Sequence, residues 1–396
     1  MSSSHAVRGE PPVPLPDIEA LARTALPEMT DDLRTLVECE TPSDDKELLS
    51  AGLAAIEGWA HRRLGSPDEV VRHDGGEHGD VLELLYRGTS ETEVLLLAHY
   101  DTVWPAGTLA EWPFTVTDDG RVSAPGAFDM KCGLVQAIWA LRLLRERNLP
   151  LPTVRLLLNG DEEIGSPFSR PHIERLSERV AATLVCEPAA GPDGDLKTAR
   201  KGVGLFEVAV AGVEAHAGLD PYGGASAVHA LAELVTRIAE LGSREHGTTV
   251  NVGVISGGTG RNVIAGHARC GVDVRIADPA EAARIDTELA ALTASDPRVR
   301  VTVTGGWNRP AMVPTPASQL LFKQAQSVAS GLGRPIRETG VGGASDGNFV
   351  SALGRPVLDG LGPVGGGAHA RGEHVLLGHV PARTALLAGL LMAHAQ

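Results

Sequence analysis

Val94-Leu-Leu-Leu-Ala-His99-Tyr100-Asp101 is the stretch on which the fold of this 396-residue chain turns. Its apolar run reads as a buried strand, and it stops abruptly at a potential metal ligand and a carboxylate. Side chains two apart on an extended backbone share a face, so His99 and Asp101 point one way and Tyr100 the other. An imidazole is oriented to bind a cation through one nitrogen when the other is held, and a nearby carboxylate does that. Taken alone, a His at a strand end is more often structural or merely exposed. The pair gains meaning only if further strands end in the same way.

Two further apolar runs do so. Thr153-Val-Arg-Leu-Leu-Leu158 leads into Asn159-Gly-Asp-Glu162-Glu163, and Ala182-Thr-Leu-Val-Cys186 leads into Glu187. Open α/β sheets place their sites beyond the carboxyl ends of the strands. One Glu is solvent-facing by default, but three such endings point to a shared site. Adjacent residues on extended backbone face opposite ways, which would let Glu162 and Glu163 take different roles. Asp129, in Gly126-Ala-Phe-Asp129-Met-Lys-Cys-Gly133, reads equally well as a helix N-cap. The Pro-, Gly- and Trp-rich segment 102–128 leading to it favours function, because long irregular loops usually carry one. His369 sits in Gly365-Gly-Gly-Ala-His-Ala-Arg-Gly-Glu373-His374, where it has no core to join.

Outward from these motifs, residues 1–16 are Ser- and Pro-rich and expected to be disordered. Segments 17–197 and 309–396 alternate helical and strand patterns, as an α/β layer with a mostly parallel sheet and helices on both faces would. Between them, 198–308 reads as an inserted α+β domain. Its order is β-α-β-β-α-β, the ferredoxin-like split arrangement, with one sheet face covered by two helices. The remaining surface is free for a partner, and a homodimer is expected.

Composition sets the bounds. Hydrophobic residues make up 43%, enough for a large core, and the formal charge of −15 lacks the basic stripe of a nucleic-acid binder. Cys39, Cys132, Cys186 and Cys270 are scattered, as reduced thiols of a cytoplasmic protein would be. No apolar run reaches the roughly 18 residues that cross a bilayer, so no membrane association is expected.

The motifs at 97–103, 126–133, 161–166, 186–188 and around His369, in this order, resemble the M20 family of metallopeptidases, and especially its glutamate carboxypeptidase-like branch. The likeness runs from about residue 30 to the end. It implies a zinc-peptidase-like catalytic domain, a dimerisation domain at the insert and two zinc ions per subunit. His99 and Glu163 would bind one ion and Glu187 and His369 the other, with Asp129 bridging. Asp101 would orient His99, and Glu162 would be the general base for water attacking an amide carbonyl. Three carboxylates, Asp129, Glu163 and Glu187, against two divalent ions leave one positive charge, which a single hydroxide would neutralise. Mixed His and carboxylate ligands suit zinc, and cobalt or manganese would also fit.

By the same resemblance, His216 would reach the site of the other subunit and stabilise an oxyanion. Asn262 and Arg275 match substrate-contacting positions, and Arg309 matches an Arg that grips a substrate carboxylate, a task suited to its paired donors. The implied reaction is hydrolysis of the amide bond to a C-terminal amino acid, in a small peptide or an N-acyl amino acid, with glutamate the side chain the named branch favours. Dedicated deacylation of a small metabolite, by an acetylornithine deacetylase or a succinyl-diaminopimelate desuccinylase, uses the same metal motifs and stays open. A non-catalytic binding protein on the scaffold would show a damaged ligand set, and none is seen.

Overall fold

The computed structural model describes residues 15–395. The stretch expected to be disordered lies outside them, except for Leu15 and Pro16, which open the first helix. The described chain divides into two compact units, one of residues 15–198, 315–339 and 353–395, the other of 199–314 and 340–352.

The first unit is built on strands β1 (Glu69–His73), β2 (Val81–Tyr86), β3 (Ser90–His99), β4 (Pro152–Asn159) and β5 (Ala182–Val185), with the short strand Val357–Leu358. Among the described residues they form one six-stranded sheet in the order β1-β2-β4-β3-β5 and then Val357–Leu358. β3 runs parallel to both β4 and β5, so all three deliver their last residues to the same edge. The sheet is mostly parallel, as expected: β2 alone runs against the others, pairing antiparallel with β1 and β4, while the remaining pairings are parallel.

Both sheet faces are buried. Leu84, Leu96, Leu156 and Leu184 join the main core with helices α1 (Leu15–Glu38), α2 (Lys46–Leu64) and α3 (Cys132–Glu146), and the C-terminal helix Val380–Ala393. In α1 the buried Ile18, Ala22, Met29, Leu33 and Leu36 recur at helical spacing and make the stripe that faces this core. Asp45 caps α2 by accepting from the amides of Glu47 and Leu48. The opposite face carries Leu85, Leu95 and Leu157. Helix α4 (Arg170–Ser177), with Ile173 and Leu176 buried, reaches that face at Glu83 through Arg175.

Gly133 shows how closely α3 approaches this edge. A Cβ there would lie 1.9 Å from the carbonyl oxygen of Cys186, so any side chain would push the helix start off the end of β5. The expected loop 102–128 is partly ordered. It contains a helical turn, Thr108–Glu111, and short strands at Thr115–Val116 and Arg121–Ser123.

The second unit holds β6 (Gly202–Ala211), α5 (Ala227–Ala239), β7 (Thr249–Gly257), β8 (His267–Ile276), α6 (Glu281–Ala290) and β9 (Arg300–Arg309). Its sheet is antiparallel throughout, in the order β7-β8-β6-β9. Phe206, Val208 and Val210 alternate with exposed positions and, with the apolar face of β8, pack under α5 and α6. The unit also takes in residues 340–352, which the sequence had assigned to the catalytic part, and it continues to Pro314. Hydrogen bonds explain this. Asn348 donates to the carbonyls of Lys201 and Pro310, and Arg200 to those of Gly343 and Ala344.

Candidate metal centre

His99 is the last residue of β3, buried, with its two ring nitrogens in different company. Nδ1 faces Asp101, 3.0 Å from its backbone carbonyl and 3.4 Å from Oδ1. Nε2 lies 3.3 Å from Asp129 Oδ1 and 3.3 Å from Glu187 Oε1. The second imidazole, His369, lies with Nε2 3.4 Å from Asp129 Oδ2 and 3.1 Å from Glu163 Oε2. Each oxygen of Asp129 thus serves a different triad, His99–Asp129–Glu187 or Asp129–Glu163–His369.

The five residues expected as ligands come together, but they pair differently from the expectation. His99 sits with Glu187 and not Glu163, and His369 sits with Glu163 and not Glu187. The Asp101 carboxylate is the reason. It accepts from the amides of Glu162 and Glu163, at 3.2 and 3.1 Å, on the Nδ1 side of His99. Only Nε2 is left to bind, and it faces the end of β5. Glu162 and Glu163 are also not extended as expected. They open a tight 3-10 turn, Glu162–Ile164, in which successive side chains diverge by about a third of a turn. Glu163 enters a triad, while the charge of Glu162 acts on His99 from outside both.

Electrostatics show that this cluster calls for positive charge. Burial opposes a charged His99, but Asp101, Asp129 and Glu187 override it and hold the ring well above the ordinary imidazole value. Asp129 and Glu163 raise His369 from 6.5 to about 11. Burial, with the charges of Asp129 and Asp101, pushes Glu163 from 4.5 up to about 7. Burial opposes ionisation of Asp129 too, yet hydrogen bonds from His369 and His99 drive it far below its usual range. In a cation-free site the imidazolium protons do what divalent ions would do better, so the residues fit a pair of cations.

A stability test follows. With His99, His369 and Glu163 all raised, the folded cation-free chain binds more protons than the unfolded one between about pH 5 and pH 11, so its stability falls as pH rises through that window. Asp129, being lowered, acts in the opposite sense only near and below its unfolded value of 3.8. Thermal melts of chelator-treated protein should drop from about pH 6 to pH 9, and the rise on adding Zn2+ should grow over the same range as protons cease to compete.

Glu373 was not singled out from the sequence, although it lies in the quoted His369 motif. It is fully buried and accepts from the amides of Gly126, Phe128 and Asp129 and from Trp104 Nε1, at 2.8 to 3.1 Å. Burial pushes its carboxyl up, against the pull of those donors. The readable signal is a Gly-rich turn with amides in need of an acceptor. Gly126, at φ 68°, is such a position. Glu373→Gln should weaken metal affinity about 10- to 100-fold, read by competition with a chelating dye, because a support behind a ligand typically carries that much. Ser43, likewise missed, donates to Asp101 Oδ2 at 2.8 Å.

The residues expected on the substrate side lie in the second unit. His216 Nδ1 accepts from the amides of Gly218 and Leu219, which leaves Nε2 as the ring nitrogen able to donate. Asn262 adjoins it, its carbonyl accepting from Ala217. Arg275 and Arg309 are not brought to this pair. Arg275 is held by both oxygens of Asp273 at 2.8 Å. Arg309 is 3% exposed, donates to Asp346 Oδ1 at 2.6 Å and lies over the Phe349 ring. A substrate carboxylate would have to displace Asp346 to reach it, which sequence spacing could not reveal.

A sheet edge carrying two groups of ligand-type side chains that share one carboxylate is suited to hold metal ions, as a metal-dependent hydrolase requires. Residues 95–393 match the profile of peptidase family M20/M25/M40. The chain is similar to carboxypeptidase G2 of Pseudomonas sp., 30% identical over 373 residues that cover 92% of this chain and 89% of that protein. It is also similar to succinyl-diaminopimelate desuccinylase of Xanthomonas campestris, 29% identical over 367 residues covering 87% and 93%. The fold matches that of a tripeptidase from Staphylococcus aureus with a TM-score of 0.77 at 22% identity, over 93% of this chain and 98% of that one. The chain therefore belongs to peptidase family M20/M25/M40, and it is a metal-dependent hydrolase of the exopeptidase and amidohydrolase type. Among the described residues, no helix is long and apolar enough to cross a membrane.

Proposed function

We propose that the chain binds two zinc ions, in His99–Asp129–Glu187 and Asp129–Glu163–His369, and hydrolyses the amide bond to a C-terminal amino acid. The observation that carries this is the division of Asp129, one oxygen to each triad. When bound, the two ions would polarise the scissile carbonyl and lower the pKa of a water between them. Glu162 takes the proton of the attacking water and passes it to the leaving nitrogen. Asp101 holds the ring of His99 and the backbone of the Glu162 turn in one grip. His216, presenting Nε2–H, would donate to the oxyanion in the site of a second copy of the chain, with Asn262 beside it.

A homodimer is part of this proposal. It is supported by β7, an edge strand whose Val254 and Ile255 are 69% and 61% exposed. A fully active monomer in size-exclusion chromatography would contradict it. The desuccinylase reading retains support from the 29% identical relative. A panel of N-acyl glutamates, dipeptides and acetylated or succinylated diamines, offered to zinc-loaded protein, separates the two. Turnover of the first two groups, lost when the terminal carboxylate is amidated, is expected. Turnover confined to the diamine derivatives would replace the proposal with the deacylase.

A further inference from the structure

A second cluster of ligand-type side chains stands apart from the metal centre and shares no residue with it. His73 closes β1, Glu83 lies in β2 and His172 lies on α4, with one ligand atom from each within 4.8 Å of the others. The β1–β2 register pairs His73 with Val81, which places Glu83 diagonally across the hairpin on the same face as His73. His73 Nε2 is 2.8 Å from Glu83 Oε1, and the two imidazole rings are 4.0 Å apart between centroids.

Three features make this more than a chance meeting of polar groups. Glu83 is 2% exposed, and a carboxylate so buried needs cationic company. The surrounding charges do not close. Among the described residues Glu69, Glu83 and Glu93 pair with Arg155 and Arg175, three carboxylates against two guanidinium groups, which leaves one negative charge over when the imidazoles are neutral. Burial, with the charges of His73 and Arg175, holds His172 below the ordinary imidazole value, so its lone pair is available at neutral pH. Arg155 Nη1 holds Glu83 Oε2 at 3.3 Å and so orients the other oxygen toward the imidazoles. Arg175 contacts that same Oε1 from a side chain 38% exposed, and it is the partner an arriving cation would displace.

We propose that His73, Glu83 and His172 bind a single transition-metal ion, of the zinc or nickel class, at a site independent of the catalytic pair. Two imidazoles and a carboxylate with an open position suit such ions and disfavour magnesium or calcium. The ion would pin the β1–β2 hairpin to α4. That helix follows the Glu162 turn, to which it is already tied by the amides of Phe168 and Ser169 donating to Asp161 Oδ2.

The test is metal stoichiometry in the full-length chain, titrated with Zn2+ alone. The wild-type chain should take one equivalent more than the His73→Gln/His172→Gln double variant, which should keep its hydrolytic activity. Equal stoichiometry in the two proteins overturns the proposal. Should the double variant not fold, the triple variant His99→Ala/Asp129→Ala/His369→Ala, which leaves each triad a single ligand, disables the catalytic pair instead. That chain should still bind Co2+ with a visible band of low-coordinate geometry, and its absence overturns the proposal as well. Because the second arm removes the catalytic pair, it reads this site whether or not the proposed reaction is correct.

Discussion

Replacing Asp129 by Asn should reduce bound metal to at most one tightly held equivalent per chain in the catalytic centre and lower turnover about 1000-fold or more. The side chain keeps its size and the Glu373 grip on its amide at 3.1 Å. What changes is the bridge. In the native residue Oδ1 lies beside His99 Nε2 and Oδ2 beside His369 Nε2, at 3.3 and 3.4 Å. An amide offers one acceptor and, on the other side, an NH2 group that repels a cation. One triad therefore keeps two ligands of its own and loses the third, and the ligand charge falls from −3 to −2. Metal polarisation is worth several kcal/mol, and each 1.36 kcal/mol is tenfold in rate, which gives the magnitude. Elemental analysis after dialysis, alongside hydrolysis of an N-acyl amino acid, checks both halves. Full metal content with near-native turnover would remove Asp129 from the centre.

Much of this centre was legible because its parts sit at strand ends. Three apolar runs, one that stops at His99 and two that stop before Glu162–Glu163 and Glu187, locate one sheet edge without any three-dimensional information. The alternation in β6 and β8 gave the faces of the second sheet for the same reason. What spacing could not show was which neighbour each side chain meets. The pairing of His99 with Glu187 depends on Asp101 occupying Nδ1 and anchoring the Glu162–Glu163 amides from that side. The burial of Arg309 depends on Asp346, 37 residues later. Glu373 was hidden for a related reason, since a buried carboxylate serving backbone amides leaves no periodic mark. The segment 340–352 was misplaced because Gly-rich stretches carry no pattern to say which unit their backbone hydrogen bonds will join.

Glu162→Gln should leave metal content unchanged while kcat falls by about 100- to 10,000-fold, the usual contribution of a positioned acid–base group. The turn Glu162–Ile164 sets the two side chains apart. Its two leading amides are held by Asp101, and its tightness sends Glu163 toward His369 while Glu162 belongs to neither triad. Its charge nevertheless helps raise His99, so it acts on the centre without belonging to either triad. Gln keeps the length and the backbone contacts, so the ligands have no reason to move, but it cannot accept a proton at neutral pH. Because hydrolysis needs a proton moved from water to nitrogen and binding does not, KM should change far less than kcat. Lost metal in the variant would make Glu162 a ligand, and near-native turnover would hand the proton transfer to another group, with the raised Glu163, at about 7, the next to examine.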